Sequence, residues 1–101
     1  MLPLNYAILS YFCTVDEADA TAVMNALRPT YGNFRTFKKP AILEALMAAE
    51  ANGLLEESRL DLDGNNQLQV YYRLNDYGRS LVKTFIGAQS PRQTAEKGNL
   101  S

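Results

Sequence analysis

Apolar residues recur at helical spacing in three stretches of the first half of this chain, and alternate with polar ones in the stretches that follow. Over residues 4–13, Leu4, Ile8, Leu9, Tyr11 and Phe12 define one side of a first helix. Thr14, Val15, Asp16 and Glu17 then match a capping box, in which the Thr14 hydroxyl accepts from the N3 amide and Glu17 reaches back to the cap N–H. The second helix is expected to run to about Arg28 and to bury Ala20, Val23, Met24 and Leu27. Pro29 should end it, because a proline pushes the preceding residue out of the helical region. In the connection over 30–35, Gly32 and Asn33 suit a turn, and Tyr31 and Phe34 suit a plug over the core.

The organising stretch is 36–55, TFKKPAILEALMAAEANGLL. Ile42, Leu43, Leu46 and Met47 form an apolar stripe, continued by Ala49 and Gly53. Pro40 falls in the first turn, where its missing N–H costs little, and Asn52 with Gly53 supplies the stop. Residues 54–62 have strand character with Ser58, Leu60 and Leu62 on one side, and Asp63-Gly64 signals a hairpin turn. Residues 67–74 alternate cleanly: Leu68, Val70, Tyr72 and Leu74 against Gln67, Gln69, Tyr71 and Arg73. Asn75 caps a final helix carrying Tyr77, Leu81, Val82 and Phe85. The order is helix, helix, helix, hairpin, helix, an α+β and mostly helical chain. A single domain over 1–86 is expected, with a flexible polar tail over 87–101, where hydrophobic periodicity is lost.

Composition narrows the function. The chain is 101 residues long, 47% apolar and 21% charged, which suits one globular domain. It has no apolar run of the roughly 20 residues that span a bilayer. Its N-terminal segment has no basic n-region, so it reads as a helix rather than a signal peptide. One cysteine, Cys13, among Ile8, Leu9 and Phe12, reads as an inert buried thiol in a reducing cytoplasm. Without histidine there is neither a zinc-ligand pattern nor a His-based triad, so an enzyme is not expected, and no cofactor is called for. The run DLDGNN opens like a calcium loop, but Gly64 falls at the wrong position and no bidentate glutamate follows, so it reads as a turn. Net charge is −1, so any nucleic-acid contact must rest on a local patch.

Two runs carry a resemblance to a known group. YYRLNDYGRSLV, residues 71–82, resembles the end of the wing and the start of the next helix in PadR-like and MarR-like transcriptional regulators. ALMAAEANGLLEES, residues 45–58, resembles the end of their recognition helix, where a Gly-Leu step opens the wing. The resemblance implies a winged helix-turn-helix that regulates transcription by binding duplex DNA, as a repressor and a homodimer. It places helix 36–52 in the major groove, with Arg35, Thr36, Lys38, Lys39, Ala41, Glu44, Ala45, Ala48 and Asn52 towards DNA and Arg59 and Arg73 assisting from the wing. It assigns Tyr77, Leu81, Val82 and Phe85 to a dimer contact.

Two features oppose a simple DNA reader. The expected reading face is mostly alanine, which can touch a thymine methyl but carries no hydrogen-bond code. The wing tip carries Asp61 and Asp63, which would repel phosphates. The alternative is a winged-helix module that binds another protein.

Overall fold

A computed structural model describes residues 2–86, so the expected tail over 87–101 lies outside the described residues. Helix α1 (Leu4–Phe12) buries Ala7, Ile8 and Phe12 on one side. Helix α2 (Ala20–Tyr31) and helix α3 (Lys39–Ala51) follow, then strands β1 (Leu55–Leu62) and β2 (Leu68–Leu74) and a short helix α4 (Asp76–Leu81). A π-helical turn over Val82–Ile86 continues α4. The two strands form an antiparallel hairpin. Phe12, Ile8, Val23, Ile42, Leu46 and Leu55 are its most completely enclosed side chains, so the core lies where α1, α2, α3 and the base of the hairpin meet.

The capping box at 14–17 does not form, and α2 starts later. The Asp19 side chain is the cap and accepts from the Ala22 amide at 2.9 Å. The cause is tertiary. Ala18 pairs with Tyr72 through two backbone hydrogen bonds, which fixes the chain against β2 just before α2 begins. Glu17 is drawn to Ser58 and Arg59, and the Thr14 hydroxyl turns back to donate to the Tyr11 carbonyl. Asp19→Ala should therefore lower stability by about 1 kcal/mol in urea titrations, whereas Thr14→Ala should cost much less.

Pro29 does not end α2 either. It sits in the last turn, and Gly32 donates to the Arg28 carbonyl at 2.8 Å beyond it. Tyr31, buried, anchors that turn by donating its hydroxyl to the Leu2 carbonyl. The plug over the core is Tyr31 with Phe37, while Phe34 stays half exposed with its ring edge on Tyr31.

Helix α3 ends as expected. Gly53 takes φ +79°, Leu54 donates to the Ala49 carbonyl and Gly53 to that of Glu50, the paired bonds of a Schellman motif. Its buried stripe is rotated from the expected one. Ile42 and Leu46 are fully buried and Ala45 and Ala49 pack beside them, but Leu43 and Met47 stay exposed. In β1 a bulge between Glu57 and Arg59 breaks the alternation that would have put Ser58 with Leu60 and Leu62. The turn is a three-residue loop in which Asn66 takes φ 61° and Asp63 binds the amides of Asn65 and Gln67. Asn75 caps α4 through the Gly78 amide and also donates to the Gly53 carbonyl, tying α4 to the end of α3.

Candidate nucleic-acid interface

The start of α3 presents a cationic surface. Lys38 occupies the N-cap position without a side-chain cap, and Lys39 and Pro40 open the helix. Arg35, Thr36, Lys38 and Lys39 are all exposed there. Arg28, at the end of α2, joins this surface because its guanidinium lies 5.9 Å from the centre of the Phe37 ring. Sequence reading missed Arg28, since only the docking of Phe37 brings it to α3. Among the described residues, Arg28, Arg35, Lys38 and Lys39 make no ion pair. Donation by the Gln67 and Asn65 amides holds the Asp63 carboxyl below its ordinary value, and Lys39, which lines the same groove, adds to this.

The rest of the expected surface is divided. Ala41 and Glu44 are exposed on α3. Ala45 is half-buried against the core, whereas Ala48 and Asn52 are exposed. Ala45, Ala48 and Asn52 line a small cleft against Tyr6 and Leu9 of α1. The Asn52 amide also donates to the Ala48 carbonyl at 2.9 Å.

The wing arginines are engaged within the fold. Arg59 donates to Glu17 at 2.6 Å and to Asp61 at 3.1 Å, and its guanidinium lies 3.8 Å from the centre of the Tyr71 ring. Hydrogen bonds from Arg59 and Ser58 hold the Glu17 carboxyl below its ordinary value, and Glu17 in turn raises Arg59. Arg73 donates to Glu56 at 2.7 Å across the hairpin. Strand alternation puts Arg59 and Arg73 on the outer face of the hairpin, away from the buried Tyr72 and Leu74. Asp61 and Asp63, expected as a repulsive tip, are thus partly committed to an ion pair and to the turn. Cys13 is half-buried.

Next to the cleft that holds Ala45, Ala48 and Asn52, Leu81 and Val82 meet Tyr6, Leu9 and Leu54 around an apolar cleft, with Phe85 on its rim. Val82 is buried within the monomer, whereas Tyr77 and Phe85 are 59% and 57% exposed and free to meet a second surface.

Three-dimensional comparison identifies proteins of the same shape. A PadR from Bacillus subtilis, solved in complex with operator DNA, superposes with a TM-score of 0.68 at 22% identity over 82% of this chain. A PadR-like transcriptional regulator from Bacillus cereus gives 0.67 at 18% identity, covering 97% of this chain and 91% of its own. A candidate transcriptional regulator from Thermoplasma acidophilum gives 0.68 at 13% identity, with the same coverage of 97% and 91%. The chain has the winged-helix fold of these regulators. It spans 46% of the length of the Bacillus subtilis protein. No family model and no curated protein matches its sequence. In the shared architecture α3 is the third helix and the hairpin is the wing. Among the described residues no group of three or more metal-ligating side chains occurs, and no helix is long and apolar enough to cross a membrane.

Proposed function

We propose that this chain is a PadR-like, DNA-binding transcriptional regulator, a repressor acting in the cytoplasm. The observation that carries this reading is the exposed cluster of Arg28, Arg35 and Lys38 at the start of α3, which makes no ion pair among the described residues. It lies on a fold shared with a regulator solved on its operator. Helix α3 enters the major groove by its N-terminal half, with Arg35, Thr36, Lys38, Lys39, Ala41 and Glu44 nearest the bases and phosphates. Ala45, Ala48 and Asn52 play no direct part in that pose. Arg59 and Arg73 reach phosphates only by leaving Glu17 and Glu56, and Asp61 in the case of Arg59. A homodimer would form around Tyr77, Leu81 and Phe85, with Val82 supporting that surface from beneath, and would present two copies of α3 to a two-fold related site.

Fluorescence anisotropy against mixed-sequence duplex DNA over a salt series tests this reading. Binding should weaken steeply with salt, and the double substitution Arg35→Glu with Lys38→Glu should reduce affinity more than tenfold and the log–log salt slope by about two. Arg59→Ala should change the slope by much less. Equal binding by wild type and the Arg35/Lys38 variant at every salt concentration would remove the assignment.

A further inference from the structure

The two faces of the wing differ sharply. The outer face is polar and internally paired, as described for Arg59 and Arg73. The inner face is apolar except for Glu57, which pairs with Tyr72: Leu55, Tyr72 and Leu74 are buried in the core and Val70 is half-buried next to them. Beyond Val70 the same strip runs out over solvent. Leu60 pairs with Val70 and Leu62 with Leu68, and these three leucines are 59%, 59% and 60% exposed. Across a groove of about 380 Å³ between hairpin and helix, α3 contributes Leu43 and Met47, 41% and 60% exposed. A wing that touched only phosphates would have no use for such a surface. Contiguous exposed apolar groups on a small domain mark a partner.

Charge selects the kind of partner. Asp63 lies on the wall of the groove, and Lys39 is the cation among its described lining residues. Burial raises the Tyr72 phenol on that wall, and the nearby carboxylates of Glu50 and Glu57 raise it further. Glu57 stands opposite Tyr72 in the hairpin register, and Glu50 lies about one turn beyond Met47 on α3, so these two carboxylates border the groove whose wall carries Asp63 and Lys39. Three carboxylates near one ammonium repel a phosphate chain and attract cations.

We propose that the groove between α3 and the wing docks a segment of a protein partner whose apolar side chains are flanked by lysine or arginine. The partner's apolar residues cover Leu43, Met47, Leu62 and Leu68, and its cations meet Glu50, Glu57 and Asp63. This proposal stands apart from the DNA reading, whose cations Arg28, Arg35 and Lys38 gather at the start of α3. Lys39 is the residue the two surfaces share.

The test uses the full chain and three probes: a short amphipathic peptide of leucine and lysine, its leucine–glutamate counterpart, and mixed-sequence duplex DNA. Leucine and methionine methyl resonances report the location and fluorescence anisotropy the affinity. The leucine–lysine peptide should bind and shift the methyls of Leu43, Met47, Leu62 and Leu68, and the leucine–glutamate peptide should not. The double variant Leu62→Ser with Leu68→Ser, at exposed positions that leave the core intact, should bind about tenfold more weakly. Glu50→Gln with Glu57→Gln should weaken binding independently, without removing any apolar group. Equal binding to the serine variant, or shifts centred on Leu9 and Leu54 instead, would overturn the proposal. So would DNA, rather than peptide, shifting the groove methyls. Self-association of the wild type that the serine variant abolishes would assign the groove to a second copy, and would also overturn it.

Discussion

Replacing Phe12 with alanine should lower stability by about 3–5 kcal/mol, the largest single loss available in this domain. Phe12 is wholly enclosed, at 0% exposure, near the end of α1, with its ring edge-on to Tyr11 at 5.8 Å. Truncation removes most of a large apolar side chain and leaves a cavity that tightly packed neighbours refill only in part. A domain of this size has a total stability on the order of 5–15 kcal/mol, so the variant approaches the unfolding threshold at ambient temperature. Each kcal/mol moves the midpoint of a domain of this length by about 4–8 °C, so a circular-dichroism melt should shift by at least about 12 °C. Leu60→Ala, on the overhanging wing at 59% exposure, is the matched control and should stay within about 0.5 kcal/mol of wild type. A Phe12 loss no larger than the Leu60 loss would mean that α1 does not pack on α2 and α3 as described.

Gly78→Ala should destabilise by about 2–3 kcal/mol, against the direction that helix propensity alone predicts. In an open helix this substitution stabilises by up to about 1 kcal/mol. Here a Cβ would lie 2.3 Å from the Leu54 carbonyl oxygen and 2.9 Å from Leu74 Cδ1. The first obstacle is backbone at the end of α3, which cannot rotate aside. Helix α4 would have to lift from the α3–β1 junction, straining the Asn75 bonds to Gly53 and Gly78. Urea titration of Gly78→Ala beside Ser80→Ala, an exposed site in the same helix, separates contact from propensity. A stabilised Gly78→Ala variant would refute the close approach. If the domain dimerises through Tyr77 and Phe85, the same substitution should also weaken that contact, because it displaces the helix that carries it.

The glycine also gives a physical reason for part of the sequence likeness. The Gly-Arg pair within YYRLNDYGRSLV was legible as a motif, but not why a glycine is needed there. The answer lies in Leu54, 24 positions away, whose carbonyl sits against its α-carbon.

What the sequence determined by itself was the set of features settled within a few residues. Pro40 and Gly53 bound α3, Asn75 caps α4, and the alternation over 68–74 yields a strand whose apolar face is buried at Tyr72 and Leu74. Each depends on a local bond or a side-chain period, so the element order and the winged-helix architecture were readable. The tertiary structure decided which of several competing local signals prevailed. The Thr14–Glu17 box lost because Ala18 pairs with Tyr72 and Glu17 gains Arg59 from 42 residues away. The α3 stripe rotated because the helix has small and large apolar residues on adjacent sides, and only contact with α1 and α2 selects Ile42, Ala45, Leu46 and Ala49 over Leu43 and Met47. The candidate site changed most. Arg59 and Arg73 carry the charge that DNA contact requires, but a charge is available only if no nearer carboxylate holds it. Glu17, Asp61 and Glu56 hold these two, while the chain's path brings Arg28 to the start of α3 with no such partner among the described residues.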